Sequence, residues 1–381
     1  MSGRSGALVV LTAGGTGGHM FPADALARAL IDRGCRVALV TDRRGDAYGK
    51  TLAQLESHKI RAGQVTGRGP LARLLGLADV ALGSVQARGL LKRIAPAAVV
   101  GFGGYASFPA MMAARWLGIP SALHEQNAVL GRANRFLARR ASRIAVAYPK
   151  VRGVRPTDQA KLRVTGNPVR EPIAALAKAA YTPSTKGKPF DLLVLGGSQG
   201  ARILSEVVPA AVAALPAPAR NRLRITQQAR PEDIDGARAA YAEAGVKATL
   251  ASFFDDIPKR LKAAHLLVCR AGASTIAEIT TAGRPAILVP YPYATDDHQS
   301  ANAAAVDAAG GGWRVLQTAF TPDWLAERLG ALMAEPAALA AAAKEARAIG
   351  HPDAADRLAD MVLEMLPAPE KSVVPGKAGA P

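Results

Sequence analysis

The chain has 381 residues, too many for one ordinary hydrophobic core, so its length predicts two domains. Hydrophobic residues make up 49% and charged residues 20%, a composition that argues against a disordered chain, and only two cysteines are present, which favours a reducing cytoplasm over a disulfide-bonded protein. The net charge is +18, and all of it comes from residues 1–170, which hold 26 Lys and Arg against 8 Asp and Glu.

The first half of the chain alternates strand-like and helix-like segments. We predict strands over residues 7–11, 36–41, 97–101 and 121–124, and helices over residues 22–33 and 108–117. No apolar run reaches the length of a spanning helix, and no signal peptide is expected at the N-terminus. Strand–helix alternation with short connections predicts a parallel, doubly wound sheet, whose ligands lie beyond the carboxyl ends of the strands.

A segment rich in Gly and Pro, residues 164–172, is predicted to connect the two domains, and the second half repeats the alternation. Strands are predicted over residues 191–195, 222–226, 266–269 and 286–290, with a helix over 274–282 and alanine-rich helices from residue 322 to about 366. The tail, residues 367–381, is rich in Pro, Gly and Ala and is predicted to be disordered.

Two glycine clusters, residues 14–18 and 196–200, each follow an apolar strand. Glycines let the backbone approach a ligand closely, and a helix that starts there points free N–H groups at it, which favours phosphate. The first cluster lacks both the dinucleotide-binding spacing and the Lys-Ser/Thr pair of a P-loop. His19 follows it, as a candidate general base or as a hydrogen-bonding residue at the helix start.

Polar residues follow further strands of both halves. Residues 124–127, His-Glu-Gln-Asn, suit recognition of sugar hydroxyls and amides, or form a solvated loop. In the second half, Ser274 or Thr275 caps a helix whose N-terminus suits a diphosphate, and Glu278 is placed to accept hydrogen bonds from a ribose diol. The acidic pairs at 255–256 and 296–297 lack further ligands at metal spacing, so we expect neither a metal ion nor another cofactor.

Six motifs in order resemble the MurG family, the bacterial enzymes that attach N-acetylglucosamine (GlcNAc) to lipid-linked N-acetylmuramyl-pentapeptide. The matching segments are residues 13–19, 124–127, 166–170, 196–201, 270–278 and 297–302. The resemblance implies the GT-B architecture, in which two Rossmann-like domains face a cleft. It also implies an acceptor- and membrane-binding domain over residues 1–168, a UDP-GlcNAc-binding domain over 169–344, and a C-terminal helix, about 345–366, that packs back on the first domain.

The resemblance also implies site residues. His19 is the first candidate for the catalytic base and Glu125 the second. The implied substrate-binding residues are Thr16, Gly17, Gly18, Asn127, Arg170, Ser198, Phe254, Ala273, Ser274, Thr275, Ile276, Ala277, Glu278 and Gln299. Phe254 stands where the family is expected to have an aliphatic residue. The stretch 291–295 is expected to vary in length within the family, and the match at Gln299 depends on how this stretch is aligned.

The implied reaction is transfer with inversion from UDP-GlcNAc to the muramyl 4-hydroxyl, which converts lipid I to lipid II for the peptidoglycan cell wall. The alternatives are another GT-B glycosyltransferase and a UDP-GlcNAc epimerase. A basic half attracts either a membrane or a nucleic acid, unless it is only a solvated face. No nucleic-acid motif is present, and residues 61–93 mix basic residues with leucines, so we expect an anionic membrane surface at the cytoplasmic face of the inner membrane, and no nucleic acid.

Overall fold

The structure is a computed structural model, and it describes residues 6–14, 17–42, 50–63, 70–104, 107–197 and 200–366. The predicted disordered tail, residues 367–381, lies outside these ranges. The first sheet is built from seven parallel strands in the order β3-β2-β1-β4-β5-β6-β7. These strands are β1 (Leu8–Thr12), β2 (Arg36–Thr41), β3 (Glu56–Lys59), β4 (Ala98–Gly101), β5 (Ser121–Glu125), β6 (Arg143–Val146) and β7 (Leu162–Val164). The central strands are almost wholly buried, as expected when helices cover both faces of a parallel sheet.

Four α-helices are described around this sheet: α1 (Gly17–Asp32), α2 (Pro70–Ile94), α3 (Ser107–Trp116) and α4 (Arg132–Ala138). Helix α1 begins at Gly17, earlier than the start predicted at residue 22, because Pro22 lies inside the helix and not in its first turn. The chain leaves α1 through Gly34, whose φ of 81° is costly for a residue with a side chain.

The second sheet has six parallel strands in the order β10-β9-β8-β11-β12-β13. They are β8 (Phe190–Leu195), β9 (Leu223–Gln228), β10 (Ala248–Ala251), β11 (Leu266–Cys269), β12 (Ala286–Leu288) and β13 (Gly312–Arg314). The helices of the second half are α5 (Glu171–Ala174), α6 (Arg202–Ala214), α7 (Ala217–Arg220), α8 (Ile234–Glu243), α9 (Ile257–Ala263), α10 (Ala273–Thr281), α11 (His298–Ala308), α12 (Pro322–Ala334), α13 (Pro336–Ala348) and α14 (Ala354–Met365).

The last helix, α14, crosses back to the first sheet. Its side chains Leu358 and Val362 are fully buried in the same apolar cluster as Leu26 of α1 and Val100 of β4. At the edge of this contact, Arg33, which directly follows α1, is ion-paired with Asp356 and Asp360 of α14. The chain therefore passes between the two sheets twice.

One side of helix α2 is exposed to solvent, and the other packs on the core of the first domain. Its residues Leu74–Ile94 have a mean hydropathy of 1.3, which makes α2 the one described helix long and apolar enough to cross a membrane by length and composition alone, although no such helix was predicted. In this structure Leu91 is buried against the first sheet's helical layer, whereas Leu74, Leu75 and Val85 are exposed. The helix lies on the surface of the domain and presents an apolar stripe outward.

We predict that Leu358→Ala lowers the free energy of unfolding by about 2–4 kcal/mol, because it leaves a cavity where α14 packs on α1. Urea denaturation followed by circular dichroism measures the change. Leu74→Ala is the control, since 64% of Leu74 is exposed and its truncation leaves no cavity. Equal destabilisation by both variants contradicts the packing described for α14.

Candidate active site

The carboxyl ends of both sheets open into one cleft. In each sheet the strand order reverses at one point, between β1 and β4 in the first and between β8 and β11 in the second. Connections that leave such neighbouring strands in opposite directions create a crevice, where ligands of parallel sheets bind. The loops after β1, β4 and β5 line one side of the cleft, and those after β8, β11 and β12 line the other.

His19 lies in the first turn of α1, with its ring against the loop after β4. A Cβ atom on Gly103 would lie 3.0 Å from Cε1 of His19, and Gly103 has a φ of 92°, so only glycine lets this loop approach the ring. The buried Nδ1 of His19 has no hydrogen-bond partner among the described residues. Burial lowers the pKa of His19, and the nearby charge of Glu125 opposes this shift in part. Interactions of the ring with the Phe102 backbone and the Gln126 side chain act in the same direction as Glu125, but burial is the largest effect, so the imidazole is neutral near pH 7.

The neighbouring histidine, His124, has a different environment. It is fully buried, and its Nε2 donates to the carbonyl oxygen of Gly166 at 3.0 Å while its Nδ1 accepts from Nε2 of Gln126 at 3.1 Å. Burial lowers the pKa of His124 to about 4. Both ring nitrogens are in use, so His124 joins β5 to the segment between the domains and is not available for proton transfer.

The Glu125 carboxylate is buried at the end of β5 and accepts four hydrogen bonds. Oε1 accepts from the backbone N–H and the side-chain amide of Asn127, at 3.0 and 3.2 Å. Oε2 accepts from the backbone N–H of Gly131 at 2.9 Å and from the side chain of Asn134 at 2.8 Å. The carboxylate thus holds the loop between β5 and α4 in place, and its acceptor positions are largely occupied.

Asn302 of α11 connects the two sides of the cleft. Its Nδ2 donates to Oδ1 of Asn127 at 3.0 Å and to the carbonyl oxygen of Ala271 at 3.1 Å, and its Oδ1 accepts from the N–H of Ala128 at 2.8 Å. Asn302 is fully buried. The side chain of Asn127 is therefore oriented from both domains, by Glu125 and by Asn302.

Helix α10 points its N-terminus into the cleft. Its N-cap residue is Gly272, which has no side chain to cap the helix, so the first N–H groups of α10 are free for a ligand. The buried Oγ of Ser274 also has no partner among the described residues. One turn further, Glu278 Oε1 accepts two hydrogen bonds from Arg170, at 2.8 and 3.2 Å. Burial raises the pKa of Glu278, and Arg170 opposes this rise.

A pocket of about 440 Å³ lies between the glycine loop after β8 and the start of α10. Thr275 and Gln299 line it, as do Gly196, Gly197 and Gly200. Arg270 also lines it, a contribution that the sequence patterns did not single out, although an arginine directly after a buried strand is an unusual residue. Arg270 is buried and donates to the carbonyl oxygens of Val289 and Pro290 and to the side chain of Gln317. All three acceptors are neutral, so an anionic ligand is the natural counter-charge for this pocket.

Other predicted residues lie elsewhere. Phe254 is buried, and Cζ of Arg260 lies 4.0 Å from the centre of its aromatic ring. Phe254 does not line the 440 Å³ pocket. Ile276 and Ala277 face a second cavity, between the domains. Gly17 is buried and Gly18 exposed at the start of α1. Thr16 and Ser198 lie outside the described residues.

One aspartate of each predicted acidic pair takes part in ion pairs. Asp256 is bonded to Arg260 at 2.5 Å, and Asp296 pairs across the cleft with Arg132, at 3.2 Å, and with Arg135. Within the described ranges, no three His, Cys, Asp or Glu residues are grouped as metal ligands. Asp296 and Asp297 both have positive φ, 54° and 53°, so the loop that reaches across the cleft is strained.

Comparisons with known proteins agree with this architecture. The model of the glycosyltransferase family 28 N-terminal domain matches residues 9–146, and that of the C-terminal domain matches residues 191–358. A Paramagnetospirillum magneticum protein is 58% identical over 94% of this chain and 97% of its own length, and a Rhodospirillum centenum protein is 57% identical over 93% of each. Both are named UDP-N-acetylglucosamine–N-acetylmuramyl-(pentapeptide) pyrophosphoryl-undecaprenol N-acetylglucosamine transferase. The crystal structure of Acinetobacter baumannii MurG is 31% identical and has a TM-score of 0.76, covering 94% of this chain and 99% of its own.

Two facing parallel-sheet domains, each matched by one half of family 28, define a glycosyltransferase of the GT-B class. Two relatives that are more than half identical over nearly the whole chain share one name, which specifies a narrower family than the GT-B class. This chain belongs to the MurG family. The family and the fold class predicted from the sequence are thereby confirmed, whereas the individual site residues stay predictions.

We predict that Glu125→Gln lowers the free energy of unfolding by about 1–3 kcal/mol, because an amide NH2 replaces an acceptor where four donors converge. Thermal and urea denaturation measure the change. Glu56→Gln is the control, since Glu56 lies on an exposed edge strand. A Glu125→Gln variant as stable as the wild type contradicts a structural role for this carboxylate.

Proposed function

We propose that this protein transfers GlcNAc from UDP-GlcNAc to the 4-hydroxyl of undecaprenyl-diphosphate-linked N-acetylmuramyl-pentapeptide, with inversion at the anomeric carbon. The product is lipid II of peptidoglycan synthesis. The observation that carries the proposal is the 440 Å³ pocket at the N-terminus of α10, lined by the buried guanidinium of Arg270 and the glycine loop after β8. In the other domain, His19 has a buried ring nitrogen without a partner among the described residues. The names of the relatives supply the substrate class.

The donor site is proposed in the second domain. The UDP diphosphate binds at the N-terminus of α10 and beside Arg270, where free N–H groups and a buried guanidinium favour negative charge. The glycine loop after β8 lies beside it, through Gly196, Gly197 and Gly200. Charge grows on the diphosphate as the glycosidic bond breaks, so these fixed groups stabilise the transition state more than the ground state.

Glu278 is proposed to bind the ribose of UDP. Both hydrogen bonds from Arg170 go to Oε1, which leaves Oε2 for the ribose hydroxyls. Arg170 itself lies between the domains, 5.0 Å from the ring centre of Phe21 in α1. Donor binding at Glu278 is thus coupled through Arg170 to the helix that carries His19.

His19 is the proposed general base. The muramyl 4-hydroxyl attacks the anomeric carbon from the face opposite UDP, its proton passes to His19, and the electron pair of the broken bond leaves with UDP. A neutral imidazole with a free nitrogen can take that proton, whereas the Glu125 carboxylate already accepts four hydrogen bonds. Glu125 is better suited to positioning Asn127.

The acceptor is a lipid, so the protein is proposed to bind the cytoplasmic face of the inner membrane as a peripheral protein. Helix α2 exposes Leu74, Leu75, Leu77, Leu82 and Val85, and Trp116 of α3 and Phe136 of α4 are also exposed. The whole excess of positive charge belongs to this half of the chain. Apolar side chains among basic residues bind an anionic bilayer by burial and by electrostatic attraction together.

The alternatives predict different products. An epimerase converts UDP-GlcNAc without an acceptor, and another GT-B transferase uses a different acceptor. Neither is favoured, because relatives at 50–58% identity carry the transferase name. The deciding measurement is UDP release from UDP-GlcNAc with and without a short-chain lipid I analogue. Release that requires the analogue supports the proposal, and turnover independent of it contradicts the proposal.

We predict that His19→Ala lowers kcat by roughly 10²–10⁴-fold and leaves the Kd of UDP unchanged. Because the pKa of His19 lies below its ordinary 6.5, the wild-type kcat/KM stays high down to a pH below 6.5 and falls as the imidazole becomes protonated. The variant lacks this acid limb. An unchanged acid limb in His19→Ala assigns it to another group and contradicts the role of His19.

We predict that the double variant Leu74→Glu, Leu75→Glu weakens binding to phosphatidylglycerol vesicles by roughly tenfold or more, measured by co-sedimentation at fixed salt. Leu316→Glu is the matched control, since Leu316 is a similarly exposed leucine (52%) of the second domain. If the α2 double variant and Leu316→Glu lose the same amount of vesicle binding, the added negative charge alone explains the loss, which contradicts a specific role for α2.

Co-sedimentation of the wild type with DNA tests whether the protein has a nucleic-acid partner.

A further inference from the structure

A second cavity, of about 340 Å³, lies between the domains on the opposite face of α10. Ala273, Ile276, Ala277 and Thr280 line it, at the spacing of one helix face, whereas Thr275 lines the anion-binding pocket. Helix α10 therefore separates the two spaces. No group in the mechanism proposed above uses this cavity.

Asn167 lines this cavity and is the most unusual residue in it. It is 5% exposed, and within the described ranges neither its Nδ2 nor its Oδ1 has a hydrogen-bond partner. Leaving a buried amide unpaired costs free energy, so native proteins rarely retain one without a reason. The adjacent Gly166 is fixed by His124, so the backbone that carries Asn167 is held in place from β5.

The cavity lining defines the chemistry of its ligand. Asn167 offers one donor group and one acceptor, which complement the carbonyl oxygen and N–H of another amide. Ala147, Ala273 and Ala277 give the wall small apolar side chains, and among the described residues no Asp, Glu, Lys or Arg lines the cavity. Burial lowers the pKa of His351, the titratable imidazole of the lining, which keeps it neutral. A neutral amide with a small apolar substituent fits this lining.

We propose that Asn167 binds the acetamido group of a substrate sugar. This inference rests on the proposed function, in which the donor and the acceptor sugar each carry one acetamido group. Two lining residues are adjacent to the proposed donor site: Ala273 is the first residue of α10, and Gln126 precedes Asn127. A sugar held at the N-terminus of α10 therefore lies next to a residue of the cavity wall, and we expect its acetamido group to reach Asn167 from there.

The test compares sugars with and without the acetamido group in two arms. The donor arm measures kcat/KM for UDP-GlcNAc against UDP-glucose with a fixed lipid I analogue. The acceptor arm measures kcat/KM for that analogue and for its N-deacetylated form, with UDP-GlcNAc held at a fixed concentration. We expect Asn167→Leu to lower the preference for the acetamido substrate by roughly tenfold in one arm, because a buried amide pair discriminates strongly against an analogue that leaves it unpaired. The arm that responds identifies the sugar.

Thr280→Val is the matched control, because Thr280 lines the same cavity but its hydroxyl already donates to the carbonyl oxygen of Ile276 at 2.8 Å. It should retain the wild-type preference. The Ki of UDP, which has no acetamido group, should be the same in all three proteins. Asn167→Ser provides a second variant if Asn167→Leu does not fold.

Three results overturn the inference: an unchanged preference in both arms, an equal fall in Thr280→Val, or a rise in the Ki of UDP that matches the fall in preference. These results are distinct from failure of the proposed function, in which the wild type transfers no GlcNAc to the lipid I analogue. If the wild type uses UDP-GlcNAc and UDP-glucose equally well, and the two acceptors equally well, the role of Asn167 is overturned but the proposed function is not.

Discussion

All the strands within each sheet are parallel, and this constraint places every functional loop at one edge of each sheet. Because parallel strands run in the same direction, their carboxyl ends all lie at one edge of the sheet, and the reversal of strand order opens a crevice there. With two such sheets facing each other, the loops after β1 and β5 lie opposite those after β8 and β11. A sugar donor and an acceptor can then meet between two rigid layers.

Three polar contacts cross the cleft among the described residues. Asn302 joins the loop after β5 to the loop after β11, Arg170 joins Glu278 to the ring of Phe21, and Asp296 reaches the arginines of α4. A polar interface holds two domains together less rigidly than an apolar core does, so we expect the two domains to move relative to each other. Arg170 and Glu278 are also among the predicted substrate-binding residues, so we expect donor binding to be linked to the arrangement of the domains.

Hydrogen bonding distinguishes two groups of buried polar residues near the cleft. His124 and Glu125 are buried with their polar atoms satisfied, and they hold the β5 loop in place. His19, Ser274 and Asn167 are different, because each has a buried polar atom without a partner in the described part of the chain. In the function proposed above such atoms bind substrate, and the free energy lost by leaving them unpaired is recovered when they do.

The sequence by itself determined the family, the alternation of strands and helices, and the glycine loops, because these depend on local residue patterns. It missed strands β3, β6, β7, β10 and β13, each only three or four residues long, and β3, β7 and β10 contain no buried residue. Only the tertiary structure decided how the polar residues are used. It surrounded Glu125 with four donors, left a nitrogen of His19 free, placed Phe254 under Arg260 and put Arg270 in the anion-binding pocket. Hydrogen-bond satisfaction and burial depend on residues far apart in the chain, which no local pattern encodes.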